Sequence, residues 1–430
     1  MAHKLLVFSI YLTIFVSSIV FFKEPFEGYL SYIVFLVLFP FFIFRFGLPK
    51  APLLIFLPLL ISGIVYIEIG SNTYGQFFKI FIGLFMSVVF YHYVIEQFQL
   101  DIKKLFGWYI KGSVIVSYIG LFQVASYLVG FTPGYDFGWI FNKWSVPIGG
   151  IGIRMNSVFS EPANFAAVIS PAFFVAIYNL SVRKTMFMSR MQSMVIAGAY
   201  VLTFSSLGIT GIFLAIVLLL FNFGFVRYAI VFIPLFIFSF DYAYNNVPDF
   251  RERLDGTINI FSTQNVRDYD IHGSSFVLFN NAHIAYENFK RNPIFGTGLG
   301  SHPVAFDKYS YTNLPGVLPI KFNAQDANSM FLRLMSETGL YGLFFMLALL
   351  FKCWVFKQRT TDNELWVISN AISLIIILYL FRQGHYFLNG FPFFLWLFYY
   401  TWRQNVLLKA EQQADTAENP FVLNPGKATA

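Results

Sequence analysis

Charge is what this sequence has least of. Asp, Glu, Lys and Arg supply 12% of its 430 residues, against roughly 25% in a soluble domain, which excludes water as the main solvent. A single cysteine, Cys353, leaves no internal disulfide to form, so the fold depends on no oxidising compartment. The six histidines, His3, His92, His272, His283, His302 and His385, show no metal-ligand spacing, so no metal site is expected. No Gly-Lys-Ser/Thr is present, which removes a Walker phosphate loop. No internal repeat is visible, and inverted repeats are a mark of many transporters.

What fills the chain is apolar: 57% hydrophobic and 21% aromatic, including 57 Phe. These residues suit lipid-facing surfaces and interfacial belts. The net charge of +7 matters less than its distribution across a membrane, and no nucleic-acid partner is expected. Apolar runs long enough to cross a hydrocarbon core, ~20 residues each, fall near 5–22, 29–47, 51–69, 77–96, 112–131 and 163–180. Others fall near 193–208, 210–226, 227–243, 338–356, 365–382 and 386–402. The first has a positive start but no small-residue cleavage site, so it reads as a retained helix rather than a signal peptide. The closely spaced seventh to ninth runs and the last are the weakest of the set.

Lys and Arg gather in alternate short connections: RFGLPK, QLDIKK, SVRKTMFMSR, the turn at Arg227, FKCWVFKQR and the segment after Arg403. The turns at 70–76 and near 209 carry none. The positive-inside rule then places both termini in the cytoplasm. The expected organisation is nine spans over 1–243 with an outside loop near 131–162, a large outside loop over 244–328, three more spans over 329–403 and a polar, disordered cytoplasmic tail over 404–430.

A purposeless loop as long as 244–328 is uncommon. Within it, Leu278, Ala282, Ala285 and Phe289 recur at helical spacing, which predicts an amphipathic helix along the membrane surface. A second short helix places Met330, Phe331, Leu334 and Met335 on one face. Between them lies NPIFGTGLGSH, 292–302, with alternating Gly296, Gly298 and Gly300. A dinucleotide fingerprint needs a strand before it and a helix after it; here a helix comes first. Spacing alone favours a tight turn packing two surface helices against the bundle.

NFKRNPIFGTGLGSH followed by DANSMFLRLMSETGLYG resembles the signature region of the O-antigen polymerase and O-antigen ligase superfamily of polytopic membrane glycosyltransferases. RMNSVFSEPANFA, 154–166, is similar to the Arg…Phe-x-Glu-Pro segment of polysaccharide polymerases, and LTFSSLGITGIFLA, 202–215, to a Thr-x-Ser-x-x-Gly span common to them. The likeness covers roughly residues 150–345. Ligases place a His-Asn pair where this chain has Asn328-Ser329, which favours a polymerase. An Arg often found before the turn is replaced by the Val277-Leu278 stretch, leaving Arg253 or Arg267 to supply the charge.

The resemblance implies an all-α integral membrane protein of about twelve transmembrane helices with surface helices in a large extracytoplasmic loop, glycosyltransferase C-like. It implies a bacterial inner-membrane location and undecaprenyl-diphosphate-linked oligosaccharide as substrate. It also implies contact with membrane lipid, a chain-length regulator as a further partner, and no cofactor. Guanidinium groups would meet the charge of the diphosphate leaving group, and a carboxylate or His would accept the acceptor hydroxyl's proton.

By that likeness Arg154 grips the diphosphate and Glu161 is the candidate base; read alone, the two are a surface pair capping the next helix, with Pro162 at an early helical position. Arg333 and Glu337 are otherwise a helix-surface salt bridge. Arg382 snorkels at an interface or binds substrate with His385 nearby, and His302 is a polar loop residue or, by the likeness, a base or substrate-binding group. Asp326 is placed to cap the helix carrying Asn328. Ligase and non-enzymatic flippase are the competing readings. A flippase should carry charges inside its spans, whereas here they gather outside them.

Overall fold

Most of the apolar runs fold as helices, which satisfy their backbone groups within the segment. The computed structural model describes residues 2–22, 27–149, 152–224, 229–246, 248–263, 273–313 and 321–418. The first half contains α1 (Ala2–Phe15), α2 (Leu30–Phe46), α3 (Lys50–Glu68), α4 (Tyr74–Gln97), α5 (Ile102–Leu128) and α6 (Thr132–Tyr135). A two-stranded antiparallel hairpin, β1 (Ile148–Gly149) and β2 (Gly152–Ile153), precedes α7 (Pro162–Val182), α8 (Arg190–Val201) and α9 (Ser206–Asn222). There follow α10 (Ala229–Asn246), α11 (Pro248–Thr263), α12 (Gly273–Arg291) and α13 (His302–Tyr309). The chain closes with α14 (Met330–Glu337), α15 (Gly339–Lys352), α16 (Asn363–Arg382) and α17 (Phe391–Glu418).

The long apolar helices mark an all-α membrane protein, with almost no sheet among the described residues. Among the described residues five helices, α3, α4, α5, α7 and α16, are long and apolar enough to cross a membrane. The apolar helices α1, α2, α9 and α15 are shorter. The first run, for example, stops being helical at Phe15 instead of continuing to 22. Residues 404–418 are helical as the last turns of α17, not disordered, with Gln404 Nε2 donating to the Leu100 carbonyl at 2.8 Å.

Burial separates the centre from the rim. The apolar windows of α7 and α16 are 78% buried, that of α3 only 33%. Helix α7 packs against α8, α9 and α16, and the buried Ala166, Ala167, Ser170, Ala172 and Ala176 let those neighbours approach closely. Leu54, Leu57 and Ile61 of α3 stay exposed, as lipid-facing side chains do.

Helices α9 and α16 run between two polar ends. At one, Lys103 pairs with Asp362 and Glu364 at 2.7 Å each, and Gln358 Nε2 donates to Asn222 O at 3.0 Å. At the other, the start of α9 and the end of α16 meet the segments before α7 and α14 around a cavity.

Candidate functional site

The cavity has a volume of about 330 Å³ and is lined mainly by polar atoms. Its cations are Lys143, Arg154 and Arg382, and its carboxylates are Glu161 and Asp326. Tyr29, Asn164, Asn328, Gln383 and His385 also face it. Arg154, Glu161, Asn328 and Arg382, spread over about half the chain in sequence, are thus brought together.

Arg154 leaves β2 with its amide donating to Pro147 O at 2.8 Å. The next residues are turns that carry the chain from Arg154 to Glu161. Gln123 of α5 holds these turns: its Oε1 accepts from the amides of Asn156 (3.3 Å) and Ser157 (3.0 Å), and its Nε2 donates to Asn156 Oδ1 at 2.7 Å. Glu161 occupies the N-cap position of α7, with Pro162 following, but its side chain makes no capping hydrogen bond. Its exposed carboxylate is left to the cavity. Gln383 Nε2, just past α16, donates to Asn164 Oδ1 at 2.9 Å and ties the two central helices at the cavity wall.

Three helix N-termini border this space: α7 after Glu161, α9 after Ser205, whose Oγ accepts from Gly208 N, and α14 after Ser329. Each contributes partial positive charge to a site already holding three cationic side chains. Lys143 is shared with Glu27 and with the Tyr29 hydroxyl at 2.5 Å. Burial raises the Glu27 carboxyl, but its hydrogen bonds with Lys143 and Tyr29 outweigh that and hold it below the usual range.

Tyr29 also borders an apolar groove of about 360 Å³ between α2 and α4, lined by Phe22, Ile33, Leu36, Phe78, Ile82 and Met86, with Lys79 among them. A charged cavity and an apolar groove therefore share one wall.

The glycine turn lies elsewhere. Gly296, Gly298 and Gly300 all have positive φ, 60°, 90° and 77°. A Cβ at Gly296 would stand 2.4 Å from the Glu337 carbonyl carbon, and one at Gly300 2.4 Å from Gln76 O. The turn packs the end of α12 against the α14–α15 junction and against α3 and α4, with Gly298 N donating to Glu337 O at 2.8 Å. Its glycines answer backbone approach, not a phosphate.

Two sequence candidates belong to this closed region. His302 is fully buried, Nε2 3.0 Å from Asn281 Oδ1 and Nδ1 3.3 Å from Ser336 Oγ. Burial, then the nearby Arg333, pushes its pKa down to about 3, so it stays neutral. Arg333 is no surface residue either: its Nε lies 3.0 Å from Glu337 Oε1, with the two side chains 4% and 0% exposed. Glu337 Oε2 accepts from Gly300 N at 2.8 Å.

The helix faces are turned relative to the expectation. Helix α12 buries Ala285 as expected, but with Val277, Asn281, Ile284 and Asn288 rather than Leu278, Ala282 and Phe289, because its asparagines find partners inside. Helix α14 buries Arg333 and Glu337 along with Met330 and Leu334, while Phe331 is exposed. Ser329, not Asp326, caps it, accepting from Leu332 N. Arg253 lies on α11 with its side chain outside the described residues, and Arg267 lies outside them altogether.

Lys143, Tyr29 and the pairing of Asp326 with His385 carry no local sequence signal, since their partners are remote in the chain. Their one common trait is position in segments between apolar runs. The chain matches no protein-family model and no curated protein.

Proposed function

We propose that the protein is a membrane glycosyltransferase that polymerises oligosaccharide repeat units carried on undecaprenyl diphosphate. The observation that carries this reading is the shared wall of the two spaces at Tyr29. An amphiphile with an isoprenoid tail and an anionic head fits an apolar groove opening beside three cations and three helix N-termini. Arg154 and Arg382 would stabilise the diphosphate as it leaves. Glu161 and His385 are the cavity groups able to accept the acceptor hydroxyl's proton. Asn328 and Gln383 would hold sugar hydroxyls.

The topology is part of the proposal. Twelve spans with both termini cytoplasmic put the turns at 70–76 and near 209 and segments 131–162, 244–328 and 383–390 on one side, and most cavity-lining residues come from these segments or from the ends of the neighbouring spans. That supports a site on the outer face of the inner membrane, where carrier-linked units are exposed. Reporter fusions at Gly134 and Ser274 would then report outside, and at Lys184 and Arg359 inside. A cytoplasmic signal at Ser274 would remove the assignment. The function itself is tested by surface polysaccharide in a deletion strain. Single-unit caps on lipid A-core identify a polymerase; naked core with accumulated carrier-linked polymer identifies a ligase.

A further inference from the structure

In the cavity wall, His385 Nε2 lies 3.2 Å from Asp326 Oδ2. The other carboxylate oxygen is occupied: Asp326 Oδ1 accepts from the Asn328 amide and from Asn323 Nδ2, each at 3.1 Å. The carboxylate is therefore oriented before it meets the imidazole. Asn323, Ala327 and Asn328 adopt positive φ of 54–57° around it, a conformation costing of order 1 kcal/mol for a residue with a Cβ.

The histidine side is built with equal care for position. A Cβ at Gly384 would lie 1.6 Å from Asp326 O, so only glycine lets the two segments come this close. Arg333 Nη1 donates to Gly384 O at 2.8 Å, and its guanidinium stands 4.4 Å over the Tyr386 ring. The residues on both sides of His385 are thus fixed by one buried cation, itself held by Glu337.

We propose that His385, oriented by Asp326, takes the proton of the acceptor hydroxyl, with Gly384 and Arg333 as positioning residues. This deepens the glycosyl-transfer reading and rests on it. With Nε2–H donating to Asp326, Nδ1 carries the lone pair. The acceptor's O–H proton passes to Nδ1 and its oxygen forms the bond to the anomeric carbon. The bond from that carbon to the diphosphate oxygen breaks, and the electron pair departs with the diphosphate. Asp326 stabilises the resulting imidazolium, and Glu161 is left to hold sugar hydroxyls.

Burial holds the His385 imidazole below its ordinary value; Asp326 and Glu27 oppose this, while Arg333 and Lys143 add to it. Arg154, Arg382 and Glu161 line the same cavity. The imidazole, 38% exposed and lining the cavity, is held toward its neutral form, able to accept a proton. Activity should therefore rise with pH through a value below ~6.5 and then level off.

The test uses membrane vesicles holding the full chain and undecaprenyl-diphosphate-linked oligosaccharide extracted from the deletion strain. Polymer formation is followed from pH 4.5 to 8.5. His385→Gln should lose about 100- to 10,000-fold and the acid limb with it. Asp326→Asn should lower the rate and move the limb to lower pH, because a carboxylate that favours the imidazolium is gone. Glu161→Gln should keep the limb. A wild-type limb in His385→Gln overturns the proposal. If that variant fails to insert, an unmoved limb in Asp326→Asn overturns it instead. No polymer from wild-type vesicles, under conditions where extracted carrier-linked units remain intact, sinks the glycosyl-transfer reading rather than the choice of base.

Discussion

The glycine turn and the cavity are both polar and both draw on the 244–328 segment, but their polar atoms face different things. Around the turn, Asn281, Asn288, His302, Ser336, Arg333 and Glu337 bond to one another and to backbone, sealed from solvent. Around the cavity, Arg154, Glu161, Arg382 and His385 border open space. Burial makes an unmet polar group costly, so a closed network must be complete and serves position. Groups that border a void are within reach of a ligand. The glycine-turn part of the family-like signature falls on the closed region, whereas its 154–166 and 202–215 segments border the open one. The Arg333–Gly384 bond joins the two.

The largest expected effect breaks the closed region. Glu337→Gln leaves the Arg333 charge buried without its carboxylate, which should cost about 3–5 kcal/mol. Thermal unfolding in detergent should show a large drop in midpoint, and an unchanged midpoint would mean that the pair is not sealed. Next comes the open region, where stability should hold and turnover should fail. Arg154→Ala should lose ~100- to 1,000-fold in polymerisation, while Arg154→Lys keeps the charge without the planar fork and retains partial activity. Gels of surface polysaccharide at equal membrane levels would show it, and wild-type ladders from Arg154→Ala would dismiss the residue's role.

Gly296→Ala should destabilise by about 1–3 kcal/mol through overpacking against Glu337, with normal turnover in the protein that does fold. A turnover defect in fully stable Gly296→Ala would blur the distinction between the regions. An effect that is absent at neutral pH is acid sensitivity from His302. Its folded value is about 3 and its unfolded value near 6.5, so below pH 6.5 the unfolded chain binds the extra proton. Stability should fall as pH drops from 6.5 toward 3, by up to about 1.4 kcal/mol per pH unit for this one group. Comparing wild type with His302→Gln between pH 4.5 and 8 tests it: equal slopes would show that His302 is not held neutral.

The sequence and the structure part company at particular residues. The apolar runs of α3, α4, α5, α7 and α16 were readable because a lipid-facing helix needs a long stretch of one kind of side chain. The glycine turn was readable as a packing turn because alternating glycines between helices mark close backbone approach. Arg154, Glu161, Asn328 and Arg382 could be nominated singly, but nothing in their spacing said that they share a cavity. The faces of α12 and α14 were read only in part, Ala285, Met330 and Leu334 going inside as expected, and the rest misjudged for one reason. Apolarity was taken as the guide to the inside, whereas Asn281, Asn288, Arg333 and Glu337 go inside because partners from other segments await them.

Composition and local order determine what the chain decides alone: residence in lipid, helices at the apolar runs, the turn at 292–302 and polar segments between spans. These depend on solvent and neighbouring residues, which the sequence contains. The tertiary structure decides which polar side chains are sealed and which face the void. It sets His302 apart from the cavity and His385 beside Asp326, because a hydrogen bond or a charge takes its meaning from what lies within a few ångströms, wherever in the chain that partner arose.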